Sequence, residues 1–214
     1  MGAFGIAPNK KVILFCGIGS EYAPHEADVA RILSRAIENG AIDRNSAIIF
    51  RPHPGLSVDA QAFGDLPNVF FDHTVVTFAE AGDMSWEKES GAIARLVNSL
   101  HHADVVVSIA STITIDAVAF GKSVVCVGFD GYHREPDAVS LRTAYRNHTH
   151  LKDLSKTNGF RIAYSAEELA DYITGYLENT GLDENGRKKI FEEFIGYLDG
   201  KSSERLSAVI AEKL

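Results

Sequence analysis

Two adjacent hydroxyls with a carboxylate one helical turn later, in Ser111-Thr112-Ile113-Thr114-Ile115-Asp116, make the stretch of this chain best suited to chemistry. It directly follows Val105-Val106-Val107-Ser108-Ile109, a β-branched run of strand length that suits burial on both faces of a parallel sheet. Ser111 and Thr112 can cap the helix that follows, Ile113 to Phe120 is apolar on nearly every face, and Gly121 is the residue expected just past its end. A strand that turns at once into a helix puts both hydroxyls beside free backbone N–H groups at the positive end of the helix dipole, which favours an anion such as phosphate. Asp116 lies on the same helix face as Thr112, and its side chain leans back toward the helix start. A carboxylate there calls for a partner: a sugar hydroxyl beside a bound phosphate, or a neighbouring loop that it caps.

Two other segments could join that site. Lys11 to Cys16 reads as a buried strand running into Gly17-Ile18-Gly19-Ser20, where backbone can approach a ligand closely. Tyr22 stands where a dinucleotide fingerprint has its third glycine, so a nicotinamide cofactor is not expected. Ala47-Ile48-Ile49-Phe50 delivers the stiff Arg51-Pro52-His53-Pro54-Gly55 to a strand end. Arg51 has the alternatives of a phosphate contact or a structural ion pair, and His53 those of a ligand contact or packing between its two prolines. A third region, 132–158, mixes polar, aromatic and basic residues without clear periodicity and reads as a long irregular binding loop. With the preceding turn it offers Asp130, His133, Arg134 and His150 for an acceptor or phosphate side. The His148-x-His150 spacing lacks a paired carboxylate or cysteine cluster, so no metal site is expected.

These segments need a frame, and the periodicity supplies one. Strand patterns at 11–16, 47–50, 68–72, 105–109, 123–128 and 161–164 alternate with helical stripes such as Val29, Ile32, Leu33, Ala36 and Ile37. Asp83-Met84-Ser85 leads a helix bearing Ile93, Leu96, Val97 and Leu100, and Ser165 with Glu168 forms a capping box. Two further helices are expected near the end, around Ile190 to Leu198 and Leu206 to Ile210. The fold class is α/β: a Rossmann-like, doubly wound parallel sheet with extra C-terminal helices. Residues 1–10 read as a linker or cloning scar, and 11–214 as one nucleotide-binding domain.

Composition narrows the partners. A chain of 214 residues with 45% hydrophobic content has enough apolar material for a proper core. A formal charge of −8 disfavours nucleic acid and anionic membrane surfaces, which need basic patches. No apolar run approaches the roughly 20 residues of a membrane span. Cys16 and Cys126, both in strand patterns, point to a reducing cytoplasm.

With the Gly-rich turn, Arg-Pro-His-Pro, Ser-Thr…Asp and the final Asp-Gly-Lys-Ser-Ser-Glu-Arg placed, the chain resembles the C-terminal, nucleotide-binding half of GT-B glycosyltransferases. The likeness is to the CDP-glycerol glycerophosphotransferase and surface-polysaccharide transferase type, with UDP-N-acetylglucosamine 2-epimerase as a cousin. The resemblance implies that Ser111 and Thr112 hold a donor diphosphate, with Ser108 and Ala110 nearby, and that Asp116 holds the ribose. It further implies that Gly17, Gly19 and Ser20 face the cleft, and that His53, with Arg51 and Pro54, lies close to the donor phosphates. Ile109 stands where many relatives have an acidic residue. Ala110-Ser111-Thr112 replaces the epimerase's Ser-Gly-Gly run, which weighs against epimerase activity.

The implied function is the donor-binding half of a transferase that uses a nucleotide-diphosphate sugar or CDP-polyol as substrate and needs no cofactor. Alternatives are a nucleotide-sugar epimerase and a non-catalytic nucleotide-binding module. The implied partner is an N-terminal, acceptor-binding half, because the residues ahead of the first strand are too few to form one; no catalytic residue is assigned here. The cleft rim is expected to expose apolar and basic groups that invite self-association. Cytoplasmic location is expected, peripheral at the inner membrane in a full-length enzyme.

Overall fold

A computed structural model describes residues 4–54, 56, 58–64, 66–73, 91–137 and 139–213. Six strands, β1 (Lys11–Cys16), β2 (Ser46–Arg51), β3 (Val69–Phe71), β4 (Val105–Ser108), β5 (Ser123–Val127) and β6 (Arg161–Ala163), form one sheet. Their order is β3-β2-β1-β4-β5-β6, and every pairing is parallel. The central strands are buried on both faces, which is why they read as continuous Val/Ile runs.

Helices cover both faces. On one side α1 (Glu26–Asn39) and α6 (Ala166–Glu178) bury Val29, Leu33, Leu169 and Ile173 against Phe15, Val107 and Val125. On the other, α2 (Ala92–His102), α3 (Ile113–Ala119), α4 (Leu141–Asn147), α5 (Thr149–Ser155) and α7 (Glu184–Ile190) contribute to a cluster around Leu14, Val106 and Val124. The helix start expected at 83–85 lies outside the described residues. α1 ends at Gly40, whose φ of 85° suits glycine and whose N–H donates to the Ile37 carbonyl. At the C-terminal end of the sheet the register aligns Arg51, Cys16, Ser108 and Cys126 in one row. Both cysteines are free and buried.

Three expectations are corrected. The segment 132–158 is not one irregular loop, because α4 and α5 occupy much of it. Ser140 caps α4 by accepting from Arg142 N, and Leu141, Ala144, Tyr145, Leu151 and Leu154 are buried. Ser165 accepts from Glu168 N, but Glu168 returns its carboxylate to Tyr164 N rather than to the cap residue, so the capping box closes one position early. Near the end, α7 runs into a π-helical turn (Phe191–Ile195) that stops before Leu198, and α8 (Ser202–Ala211) buries no residue. Leu206, Val209 and Ile210 therefore form an exposed apolar stripe.

Candidate functional site

The strand order reverses between β1 and β4, so the loops leaving these two strands diverge and open a crevice at the C-terminal edge of the sheet. A cleft of about 630 Å³ lies there. The loop after β1 contributes Ile18, Glu21 and Tyr22, the loop after β2 His53 and Leu56, and the turn after β4 Ala110, Ser111 and Thr112. Val139, Ser140 and Leu141 with Thr143, Ala144, Asn147 and His148 of the α4 region complete the lining.

The turn after β4 is held in an uncommon shape. Ala110 has a φ of 39°, a region that non-glycine residues seldom occupy. Its N–H donates to the Tyr145 hydroxyl at 2.8 Å, and that buried hydroxyl donates to the Val127 carbonyl at 3.1 Å. The chain then enters α3 with Thr112 at the N-cap position, where its side chain makes no capping bond. Ser111 Oγ accepts from Ile113 N at 3.4 Å, a long bond. Among the described residues no protein acceptor takes the N–H groups of Ser111 and Thr112. Free amides and two hydroxyls thus meet on the cleft wall, a polar set suited to anionic oxygens.

Burial lowers the pKa of His53 below the usual imidazole value, favouring the uncharged ring. Asp116 stands on α3 beyond the hydroxyl pair, and the protein around it raises its carboxyl above the ordinary value. It is not among the residues that line the cleft, although its charge is felt at Cys16 at the end of β1.

The β1 loop behaves differently from a phosphate-binding turn. Glu26, buried in the first turn of α1, accepts from Ile18 N at 3.1 Å and Gly19 N at 3.2 Å through Oε2. A Cβ on Gly17 would come within 2.5 Å of that oxygen, so only glycine admits the carboxylate. The amides that could cradle a phosphate are already taken by an internal carboxyl group. Burial raises the Glu26 pKa to about 7, against the opposing pull of the two backbone hydrogen bonds.

Of the residues singled out in the sequence, His53, Ala110, Ser111 and Thr112 converge on the cleft. Gly17 and Gly19 flank Ile18 in the loop after β1 without lining the cleft, Ser20 is exposed, and Pro54 is half-buried in the turn after His53. Arg51 is buried and pairs with Asp72 at 2.9 Å, the structural ion pair that stood as its second reading. Ser108 is buried, and its Oγ finds no partner among the described residues. Asp130 accepts from Ser140 Oγ at 2.7 Å and Leu141 N at 2.8 Å, organising the loop after β5 from within. His133 stacks on His25 instead of lining the cleft, Arg134 is exposed, and His150 lies on α5 with its side chain outside the described set.

Sequence reasoning missed Glu21, Tyr22, Thr143 and Asn147 as lining residues and Glu26 as the loop's carboxyl partner. A signal existed for Tyr22, which follows the glycine turn directly. Glu26 carries no such signal, since an acid in the first turn of a helix is ordinary.

No protein-family model matches the chain, and no curated protein matches it in sequence. Solved structures do share its fold. The wall teichoic acid polymerase TagF superposes with a TM-score of 0.56 at 12% identity, covering 99% of this chain and 46% of that one. A putative UDP-N-acetylglucosamine 2-epimerase from Listeria monocytogenes gives 0.54 at 12% identity, covering 95% and 45%. The C-terminal CMP-Kdo binding domain of WaaA from Acinetobacter baumannii gives 0.51 at 12% identity, covering 90% of this chain and 94% of that domain. The chain therefore has a Rossmann-like fold of the GT-B type. It spans about half the length of the polymerase, 46%, and nearly the whole of the excised WaaA domain, 94%.

Proposed function

We propose that this chain is the donor-binding half of a GT-B glycosyltransferase or glycerophosphotransferase, acting in surface glycan or teichoic-acid-like synthesis. The observation that carries the reading is the meeting of unclaimed N–H groups and two hydroxyls at Ser111 and Thr112 with His53 in one cleft at the switch point. The fold shared with a CMP-Kdo binding domain of like extent supports it. The nucleoside phosphate oxygens sit at the Ser111–Thr112 turn, and Asp116 takes the ribose hydroxyls. When the activated group is transferred, the nucleotide departs with the bonding electron pair, and the same donors stabilise its added charge. A second half supplies the acceptor side.

On this reading the protein works in the cytoplasm, peripheral to the inner membrane in its full-length form, without a cofactor. Among the described residues no helix is long and apolar enough to cross a membrane. Thermal unfolding and calorimetry with CMP, CDP, UDP and GDP test the proposal. A ligand at 100 times its dissociation constant adds about 2.7 kcal/mol of stability, a readily measured shift. If none of the nucleotides shifts the midpoint, the reading fails.

A further inference from the structure

A second cluster of chemically capable side chains lies behind the cleft wall, between the start of α1 and the loop after β5. His25 occupies the N-cap position of α1 and Asp28 its first turn. The loop after β5 is pressed onto them. Gly131, at a φ of 65°, passes so close that a Cβ there would meet Asp28 Cβ at 2.6 Å, and Tyr132 N donates to Asp28 Oδ2 at 3.4 Å. This contact lays His133 over His25, with ring centroids 3.9 Å apart and planes inclined by 18°. His133 Nε2 stands 3.5 Å from Asp28 Oδ2, and His25 Nε2 stands 2.8 Å from Glu135 Oε1.

One ligand atom from each of His25, Asp28 and His133 lies within 4.8 Å of the other two. We propose that these three residues bind a zinc-type divalent transition-metal ion, with Glu135 orienting His25, and that the ion staples the loop after β5 to the start of α1.

The donor set selects the metal. Two imidazoles and one carboxylate suit zinc and its first-row neighbours, whereas magnesium and calcium favour all-oxygen shells. Bonds of about 2.0–2.1 Å in a tetrahedral shell separate ligand atoms by about 3.3 Å, so the trio closes by up to about 1.5 Å, and the two stacked rings tilt out of parallel so that their nitrogens converge on the ion. His25 and His133 are partly exposed and have room to make that adjustment. The surroundings also fit. A ligating histidine ordinarily has its second ring nitrogen on a carboxylate, as Glu135 provides for His25. Arg31 binds the other Asp28 oxygen, Oδ1, at 2.7 Å, which leaves Oδ2 turned to His133 but sets a positive charge nearby. Asp28 and Glu135 offset it.

The staple bears on the cleft through geometry. Tyr22 precedes His25 by three residues, and Val139 to Leu141 follow Glu135 closely, so both stapled segments carry residues that line the cleft. The proposal does not depend on the donor reading, since metal binding is measured without nucleotide.

The test uses untagged chain stripped with a chelator and titrated with zinc chloride by calorimetry, followed by thermal unfolding. One equivalent should bind and raise the midpoint. His25→Ala and His133→Ala should each weaken binding at least about tenfold, while His101→Ala at the exposed end of α2 leaves it unchanged. Circular dichroism confirms that the variants fold, and a cobalt-substituted sample should show tetrahedral visible bands that vanish in the His25/His133 double variant. The proposal is overturned if zinc binds with no defined stoichiometry, or if the double variant binds as tightly as the parent. Either result would leave the cluster as two ordinary histidine–carboxylate pairs.

Discussion

The backbone N–H of Ala110 donates to the Tyr145 hydroxyl at 2.8 Å, so the helix after β5 fixes the shape of the turn after β4. Without that buried anchor, Ala110 would have little reason to stay at a φ of 39°. Tyr145→Phe strands the Ala110 N–H and the Val127 carbonyl, at about 1–3 kcal/mol. Ala110→Gly removes the Cβ penalty and should stabilise the fold by about 0.5–1 kcal/mol. Urea unfolding of both variants checks the two signs. A stabilising Tyr145→Phe would refute the anchor.

Glu26 predicts an inverted pH dependence for one carboxyl. Its folded-state pKa of about 7 stands above the ordinary 4.5, so the native state holds this proton more tightly than the unfolded chain does. The resulting stability is fully present below the unfolded value, declines as pH rises toward the folded value, and is gone above it. The span is about 3 kcal/mol. Glu26→Gln keeps an acceptor for Ile18 and Gly19 and abolishes the titration. Unfolding free energies at pH 5 and pH 8 should differ less in the variant, and an unchanged difference would show that Glu26 is not the titrating group.

Replacing both Ser111 and Thr112 with alanine should weaken nucleotide binding more than tenfold. Each lost hydrogen bond to a charged oxygen contributes on the order of 1.5–3 kcal/mol. The fold should survive, since Thr112 makes no capping bond and Ser111 only a 3.4 Å one. Calorimetry with the nucleotide that binds the parent decides the matter; equal affinity moves the phosphates elsewhere.

At Asp116, asparagine should be tolerated better than alanine, because the amide oxygen still accepts from a ribose hydroxyl. Affinities measured for ribo- and 2′-deoxynucleotides separate this role from a structural one. Only a ribose contact makes the alanine variant indifferent to the missing hydroxyl.

The sheet and its first helix were legible because their signals are local. Val-rich runs mark β4 and β5, and one apolar stripe with Gly40 marks α1. The Ser111–Thr112 turn was legible for the same reason, since a strand passes directly into a helix. What escaped was set by distant partners. The partner of the ion pair open to Arg51 is Asp72, 21 residues on, and Tyr145 reaches Ala110 across 35. The helices α4 and α5 escaped because each is a 7-residue element, too short for periodicity to stand out. Glu26 escaped because its length lets it reach back past the helix start to Ile18 and Gly19, a geometry that no spacing announces.

The row of Arg51, Cys16, Ser108 and Cys126 along the sheet edge also determines how the protein meets thiol reagents. Burial pushes both cysteine thiols up to about 12, so at pH 8 the reactive thiolate is on the order of one in ten thousand, and it is sealed from reagent besides. Alkylation therefore requires the central sheet to open. The native chain carries its own clock for global unfolding, read as the rate at which two silent sulfurs become modifiable. A single cysteine introduced on the surface would be labelled alone, without first removing the natural pair.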